Sequence, residues 1–301
     1  MILLSVLVDI VLPVFLIIGL GFVAARMLTI DAHTLSRVSL YVLAPALVYS
    51  KLVDTTVTST DLVQIVLFTV VGTLLLLALS WVVARLLHLN QSKESGFILS
   101  SSFNNCGNYG LPLILFAFGQ QGLERALIYF VTSAFLVNTL AVFVASRGKA
   151  RVTTSLFNIF RLPMIYAIAV AFLVRLGNIA VPPMLAQPIE MVGDATIPLM
   201  LLLLGVQLAR SSLGRQIPLI CTATVVKLVG AAAIGIALAA AMGLTGVTRQ
   251  TCIVEHATPT GVMTSILALE FGTEPELATG VIFASTLASI ATMTVLVSWL
   301  S

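Results

Sequence analysis

Phe103-Asn104-Asn105-Cys106-Gly107-Asn108-Tyr109-Gly110-Leu111-Pro112 and His256-Ala257-Thr258-Pro259-Thr260-Gly261 are polar, Gly/Pro-broken stretches in an otherwise apolar chain. The runs that hold them, Ser92 to Gly119 and Thr245 to Gly272, share one layout of apolar stretch, polar centre, apolar stretch and Phe-Gly stop. A single offset of 153 relates Phe118-Gly119 to Phe271-Gly272, Pro45 to Pro198, Phe130 to Phe283 and Thr139 to Thr292. The chain therefore reads as an internal duplication. Interrupted hydrophobic segments at corresponding places in two halves point to the substrate site of a secondary transporter.

With 59% hydrophobic and 9% charged residues and a mean hydropathy of +1.12, these 301 residues carry more apolar surface than one soluble core can hide. The medium has to be a bilayer. A span needs roughly 20 mostly apolar residues to cross about 30 Å of hydrocarbon. About ten such segments fit, near 8–27, 37–53, 62–87, 95–118, 126–146, 158–176, 187–209, 217–242, 249–271 and 277–300. The first has no basic residue before it and meets Arg26 only at its end, so it reads as a true span and not as a cleaved signal peptide.

The three cysteines, Cys106, Cys221 and Cys252, fall inside spans with no paired spacing, which argues against a disulfide frame or a zinc site. A net charge of +3 from scattered basic residues gives no footprint for nucleic acid. Neither a cofactor nor a metal is expected.

Orientation follows from the basic residues. Alternate loops hold ten of them: Arg26, Arg37, Arg85, Lys93, Arg147, Lys149, Arg151, Arg161, Arg210 and Arg215. The other loops hold Lys51, Arg125, Arg175 and Arg249, one each. The richer set reads as cytoplasmic, which places both termini outside a cell (inner or plasma) membrane. Each half has five spans, an odd number, so the second copy enters upside down. The expected fold class is an all-α membrane protein of ten transmembrane helices in two inverted five-helix repeats. The first is 1–146, the second 158–301, and a short cytoplasmic connector lies at 147–157.

A helix interior loses propensity at Gly107, Gly110 and Pro112, and one containing Pro259 and Gly261 loses a backbone hydrogen bond as well. The fourth and ninth segments should both break near mid-membrane and cross. Such breaks are tolerated only where protein buries them or they line a wet cavity. Each restarts a half-helix whose N-terminal amides suit an anionic group, and Pro112 fits a first turn. Asn104, Asn105, Asn108, Tyr109, Thr258, Thr260 and Ser265, with Gly107, Pro259 and Gly261 in the backbone, form the expected substrate cradle. The bland alternative is that Gly and Pro only kink the helices while Asn and Thr satisfy the freed backbone. Recurrence at the repeat offset, each time with a polar cluster, favours the cradle.

At these residues the chain resembles the auxin efflux carrier family, which includes bacterial malonate carriers. Asn105-Cys106-Gly107-Asn108-Tyr109-Gly110-Leu111-Pro112-Leu113 is similar to the family's fourth-helix pattern, and Ala257-Thr258-Pro259-Thr260-Gly261 to its ninth-helix pattern. Where plant carriers have an Asn-Pro-Asn element, this chain has Asn104-Asn105-Cys106-Gly107-Asn108. The resemblance implies a panel of helices 1, 2, 6 and 7, and a transport domain of helices 3–5 and 8–10. It further implies a homodimer and an elevator-like displacement that moves a small organic anion.

Lys227 is the basic residue deep inside a span, where an ammonium costs about 2.5–3.5 kcal/mol on insertion scales and marks a pathway or relay. It stands in for a coupling cation, or else pairs permanently with a carboxylate, for which Glu255 is the expected partner. His256 could touch substrate or carry a proton, but a packing role is favoured. Glu190, Asp194 and Asp9 are expected near outer ends. Pro45 and Pro198 read as plain kinks, and the Ala-rich run Gly230 to Gly243 as close helix packing.

An enzyme reading fails, because His33, His88 and His256 lie on different segments without metal-ligand spacing. The alternatives within membrane proteins are a sodium-coupled symporter of the bile-acid type and a non-transporting receptor. Sodium prefers hard oxygen ligands, and this crossing is mostly Asn, Thr and backbone.

Overall fold

A computed structural model describes residues 2–146 and 163–301, so the expected connector at 147–157 and its basic cluster lie outside the described residues. Those described are helical apart from short connections. Six helices among them are long and apolar enough to cross a membrane: α1 (Ile2–Met27), α3 (Ser59–Leu86), α5 (Cys106–Ala145), α7 (Pro183–Ala209), α8 (Ile217–Ala241) and α11 (Pro275–Leu300). Between them lie α2, which runs from Ala32–Val38 through a π turn into Ala44–Val53, and α6 (Pro163–Leu176). Four half-length pieces complete the chain's two polar stretches: α4 (Gln91–Ser102), the head of α5, α9 (Gly246–Ala257) and α10 (Met263–Phe271).

Sequence signals set many of the ends. Asp31 accepts from the amides of His33 and Thr34 to start α2, Thr58 caps α3 through the Asp61 amide, and Asn90 caps α4 through the Lys93 amide. Each side-chain oxygen satisfies a donor that the first helical turn leaves over. The two Phe-Gly stops both have positive φ but differ in ψ: Gly119 bends α5 with φ 63° and ψ -158°, and Gly272 ends α10 with φ 64° and ψ 40°. Backbone at positive φ favours glycine.

Packing separates two groups of helices. In one, α7 lies along α1, and α2 packs on α6 and on the first part of α7. The α1–α7 approach is close enough that a Cβ on Gly21 would strike the carbonyl of Leu202 and one on Gly205 that of Ile18, as expected where small residues let membrane helices meet. In the other group, α3, α4 and α5 pack with α8, α9 and α11. The groups touch where α7 meets Cys106–Gly110 and where the start of α1 meets α11. Large side chains such as Leu16, Leu20, Leu67, Leu74, Leu173 and Leu269 face outward, which fits lipid as the surrounding medium.

Candidate functional site

The two polar stretches meet, and backbone joins them. Asn104 and Thr260 form an isolated antiparallel bridge, with the Asn105 amide donating to the Pro259 carbonyl at 2.8 Å and the Gly261 amide to the Phe103 carbonyl at 2.9 Å. The Thr260 amide donates to Ser285 Oγ at 3.1 Å. These bonds satisfy backbone groups that neither half-helix could satisfy alone, as irregular backbone buried at membrane depth requires.

The first break sits earlier than the glycines suggest. Helix α4 stops at Ser102, Phe103–Asn105 are non-helical, and Cys106–Gly110 is a π turn continuous with the rest of α5. The Gly110 amide reaches back to the Asn105 carbonyl at 3.0 Å. Gly107, Gly110 and Pro112 therefore do not interrupt the helix. They permit a wider turn at its head, with Pro112 in the first turn of the α winding, where a missing N–H is harmless. The second break covers Thr258–Val262 and has Pro259 at its centre, as expected.

The polar side chains divide into committed and free. Asn104 is fully committed: its Nδ2 donates to Tyr129 Oη at 2.8 Å and to the Glu255 carbonyl at 3.2 Å, while its Oδ1 accepts from Lys227 Nζ at 2.6 Å. Thr258 Oγ1 donates to the Glu255 carbonyl at 2.7 Å, Thr260 Oγ1 to the Ser100 carbonyl at 2.7 Å, and Ser265 Oγ to the Val262 carbonyl at 2.9 Å. Tyr109 Oη accepts from Ser289 at 2.9 Å, and its ring meets Phe15 of α1 edge-on at 6.1 Å. Asn105 differs. It is buried, and its Nδ2 has no partner among the described residues. Asn108 is only partly buried.

Lys227 and Glu255 are not an ion pair among the described residues. The ammonium instead donates to Asn104 Oδ1 and, at 3.2 Å, to the carbonyl of His256. That carbonyl lies at the C-terminal end of α9, where a helix carries partial negative charge and favours a cation. The break creates this end, so the break itself explains the buried lysine's position. Glu255 points elsewhere. Its carboxylate lies against Gly110, where a Cβ would collide with it, and among the described residues neither carboxylate oxygen has a partner. His256 packs with Nδ1 against Tyr129 Oη at 3.0 Å and its ring edge-on to Phe68 at 5.8 Å, and its Nε2 has no partner among the described residues.

Several members of the network carry no sequence signal. Tyr129, Ser285 and Ser289 belong to no motif, and only the fold brings them to the crossing. Glu124 is another. It is buried just past the α5 bend, where its Oε2 accepts from Thr55 Oγ1, the Thr56 amide and Thr56 Oγ1 at 2.8, 3.0 and 3.2 Å. Glu190 and Asp194 lie in the N-terminal half of α7, exposed and paired with Lys51 at 3.6 and 3.1 Å.

The crossing is thus a hydrogen-bonded frame that holds the Lys227 ammonium, the Glu255 carboxyl group and a few polar atoms unmatched among the described residues. Such atoms are uncommon in buried positions and mark places where a further partner can bind. The family model described as membrane transport protein matches residues 6–297. An uncharacterized transporter of Methanocaldococcus jannaschii is 24% identical over 295 residues, covering 94% of this chain and 95% of the relative. One from Methanothermobacter thermautotrophicus is 22% identical over 288 residues, with the same coverage of both.

Proposed function

The chain belongs to the membrane transport protein family, the auxin efflux carrier type, and from that premise we propose that it moves a small organic anion, a carboxylate, across the bilayer. The observation that carries this reading is Asn105 Nδ2, a buried donor without a partner among the described residues, beside Asn104, Thr258 and Thr260, whose side chains are matched. Beside it, partly exposed Asn108 lies on the π turn Cys106–Gly110, which packs against α7 of the other helix group. Neutral amide donors and the first turn of α5 suit a carboxylate. The committed groups Asn104, Thr258, Thr260 and Tyr109 hold this surface in shape.

In this reading the chain has ten spans in two inverted repeats. The positive-φ glycines at 119 and 272, one repeat offset apart, support it. Helices α1, α2, α6 and α7 are the stationary panel, commonly dimerised. The helices from α3 to α5 and α8 to α11 are the transport body, which moves elevator-fashion with the crossing on its inner face. The protein sits in the cell membrane with both ends outside. Lys227 supplies a fixed positive charge at the C-terminal end of α9, where a coupling cation would otherwise serve.

Uptake of radiolabelled malonate and indole-acetate into proteoliposomes tests the site. Asn105→Ala should lower flux about tenfold or more, the worth of a lost hydrogen bond to a charged group, at an unchanged thermal midpoint. Normal flux in that variant sinks the assignment. Glu255 favours one second reading, a sodium-coupled symporter, because its two unmatched oxygens are hard ligands. Flux that vanishes when sodium is replaced by choline would select it.

A further inference from the structure

A cavity of about 330 Å³ opens at one end of the second helix group, between the turn that joins α3 to α4 and the start of α8. Its apolar walls include Leu87, Leu89 and Leu219, and its polar lining is Lys93, Gln216 and Thr222. It therefore holds one ammonium and no carboxylate. The volume falls at the lower end of the roughly 300–1,000 Å³ usual for small-ligand sites, and apolar walls with a few polar groups are their usual lining.

Two acids beside the lining are already engaged: Glu94 pairs with Arg85 at 3.4 Å, and Glu274 accepts from Gln216 Nε2 at 2.8 Å. Partly buried Lys93 and exposed Arg215, which precedes Gln216, form no ion pair among the described residues. Trp81 lies one turn along α3 from Arg85, is 49% exposed, and carries the guanidinium over its ring at 5.6 Å. An exposed Trp beside a long basic side chain marks the level of lipid headgroups. Deeper along the same helices, α3 and α8 stay in contact, since a Cβ on Gly230 would meet Leu79, and exposed Val82 and Val225 give each an outward apolar surface. The repeat offset of 153 puts Gly246, Leu62 and Leu238 where this end has Lys93, Arg215 and Arg85. The repeated architecture itself does not call for these cations.

We propose that this cavity binds the headgroup of an anionic phospholipid, with the Lys93 ammonium on its phosphate, Arg215 at the mouth and the acyl chains along α3 and α8. Free phosphate would meet the ammonium but gain nothing from the leucine walls, whereas a lipid uses both. A zwitterionic headgroup would bring a second cation to a site that already has its own and offers no carboxylate to receive it. The orientation expected from the basic residues puts this end in the cytoplasmic leaflet, whose anionic lipids are drawn to basic pockets between spans. Every lining residue belongs to α3, α4, α8 or their connections, so the bound lipid stays with that helix group however the other group is placed. The binding does not rest on the carrier reading above.

Native mass spectrometry of the purified full-length protein in detergent, titrated with dioleoyl phosphatidylglycerol or with phosphatidylcholine of the same chains, tests it. Phosphatidylglycerol should fill one site saturably, and phosphatidylcholine should bind at least about fivefold more weakly. Lys93→Gln should weaken phosphatidylglycerol roughly fivefold and Lys93→Gln/Arg215→Gln more than about tenfold, while Lys93→Arg, which keeps the charge, should bind like the natural protein. Thr222→Trp should displace the lipid by filling the cavity with every charge in place. Arg249→Gln, which removes a cation from a different loop, should leave binding unchanged, and inorganic phosphate should compete no better than chloride at equal ionic strength. The proposal falls if phosphatidylcholine binds as well, if both Lys93→Gln and the double variant bind like the natural protein, or if Thr222→Trp keeps the lipid. Equal losses in Arg249→Gln and Lys93→Gln would reduce the effect to overall charge and overturn the site. Displacement by inorganic phosphate beyond that by chloride would make the ligand a soluble phosphate and overturn the lipid.

Discussion

The two broken segments occupy equivalent places in the sequence, yet they differ in what their side chains do. In the second, the hydroxyls of Thr258 and Thr260 both go to backbone carbonyls, one on its own half-helix and one on α4, and the prolyl ring of Pro259 removes a donor from the break. In the first, Asn104 reaches three groups on other elements while Asn105 keeps an unmatched donor and Asn108 stays partly exposed. Two copies of one device have diverged. The second copy braces the crossing, and the first both ties it together and presents its free polar atoms to the neighbouring helices.

The largest test of that division is Asn104→Ala. It deprives the Lys227 ammonium of its closest acceptor and leaves Tyr129 Oη and the Glu255 carbonyl each one partner short. Uncompensating a buried charge costs about 3–5 kcal/mol, so the thermal midpoint in detergent should fall steeply. Adding Lys227→Met removes the stranded charge and should recover part of the loss, giving a non-additive cycle. Strictly additive losses would mean that the lysine and the first break are independent.

Next in size is Gly110→Ala. The new methyl group would land on the Glu255 carboxylate, and overpacking of this kind costs about 1–3 kcal/mol. Because Glu255 belongs to the second copy and Gly110 to the first, Glu255→Ala should suppress the defect. A Gly110→Ala protein as stable as the natural one would show that the two copies do not interlock there.

Much of this was legible in the sequence for physical reasons that can be named. Apolar runs interrupted by Gly, Pro and Asn located both breaks, because backbone in lipid must be satisfied and only such residues relax the helix. The repeat offset matched two glycines that both have positive φ. What stayed hidden depends on facing, which needs the fold. The acceptors of Lys227 are a carbonyl and an amide oxygen, and carbonyls have no sequence signature. Charge alone suggested Glu255, which points instead at Gly110. Pro112 and the glycines around it suggested a break at their own position, whereas a π turn absorbs them and the chain opens at Phe103–Asn105. Tyr129 and Glu124 are ordinary helix residues until the bend at Gly119 sets their direction.

The smallest effect is expected from Thr258→Val, which keeps the shape of a buried side chain and deletes one hydroxyl. The Glu255 carbonyl loses its 2.7 Å donor but retains Asn104 Nδ2 at 3.2 Å and the Thr258 amide at 3.4 Å. An acceptor that keeps other partners avoids the full penalty of an orphaned group, so the loss should be about 1 kcal/mol, read as a modest drop in thermal midpoint. If the second copy is a brace, transport per folded molecule should stay close to that of the natural protein, in contrast to Asn105→Ala. A folded Thr258→Val protein with flux as low as Asn105→Ala would mean that the hydroxyl leaves its carbonyl to meet the substrate, and that both copies, not one, form the binding surface.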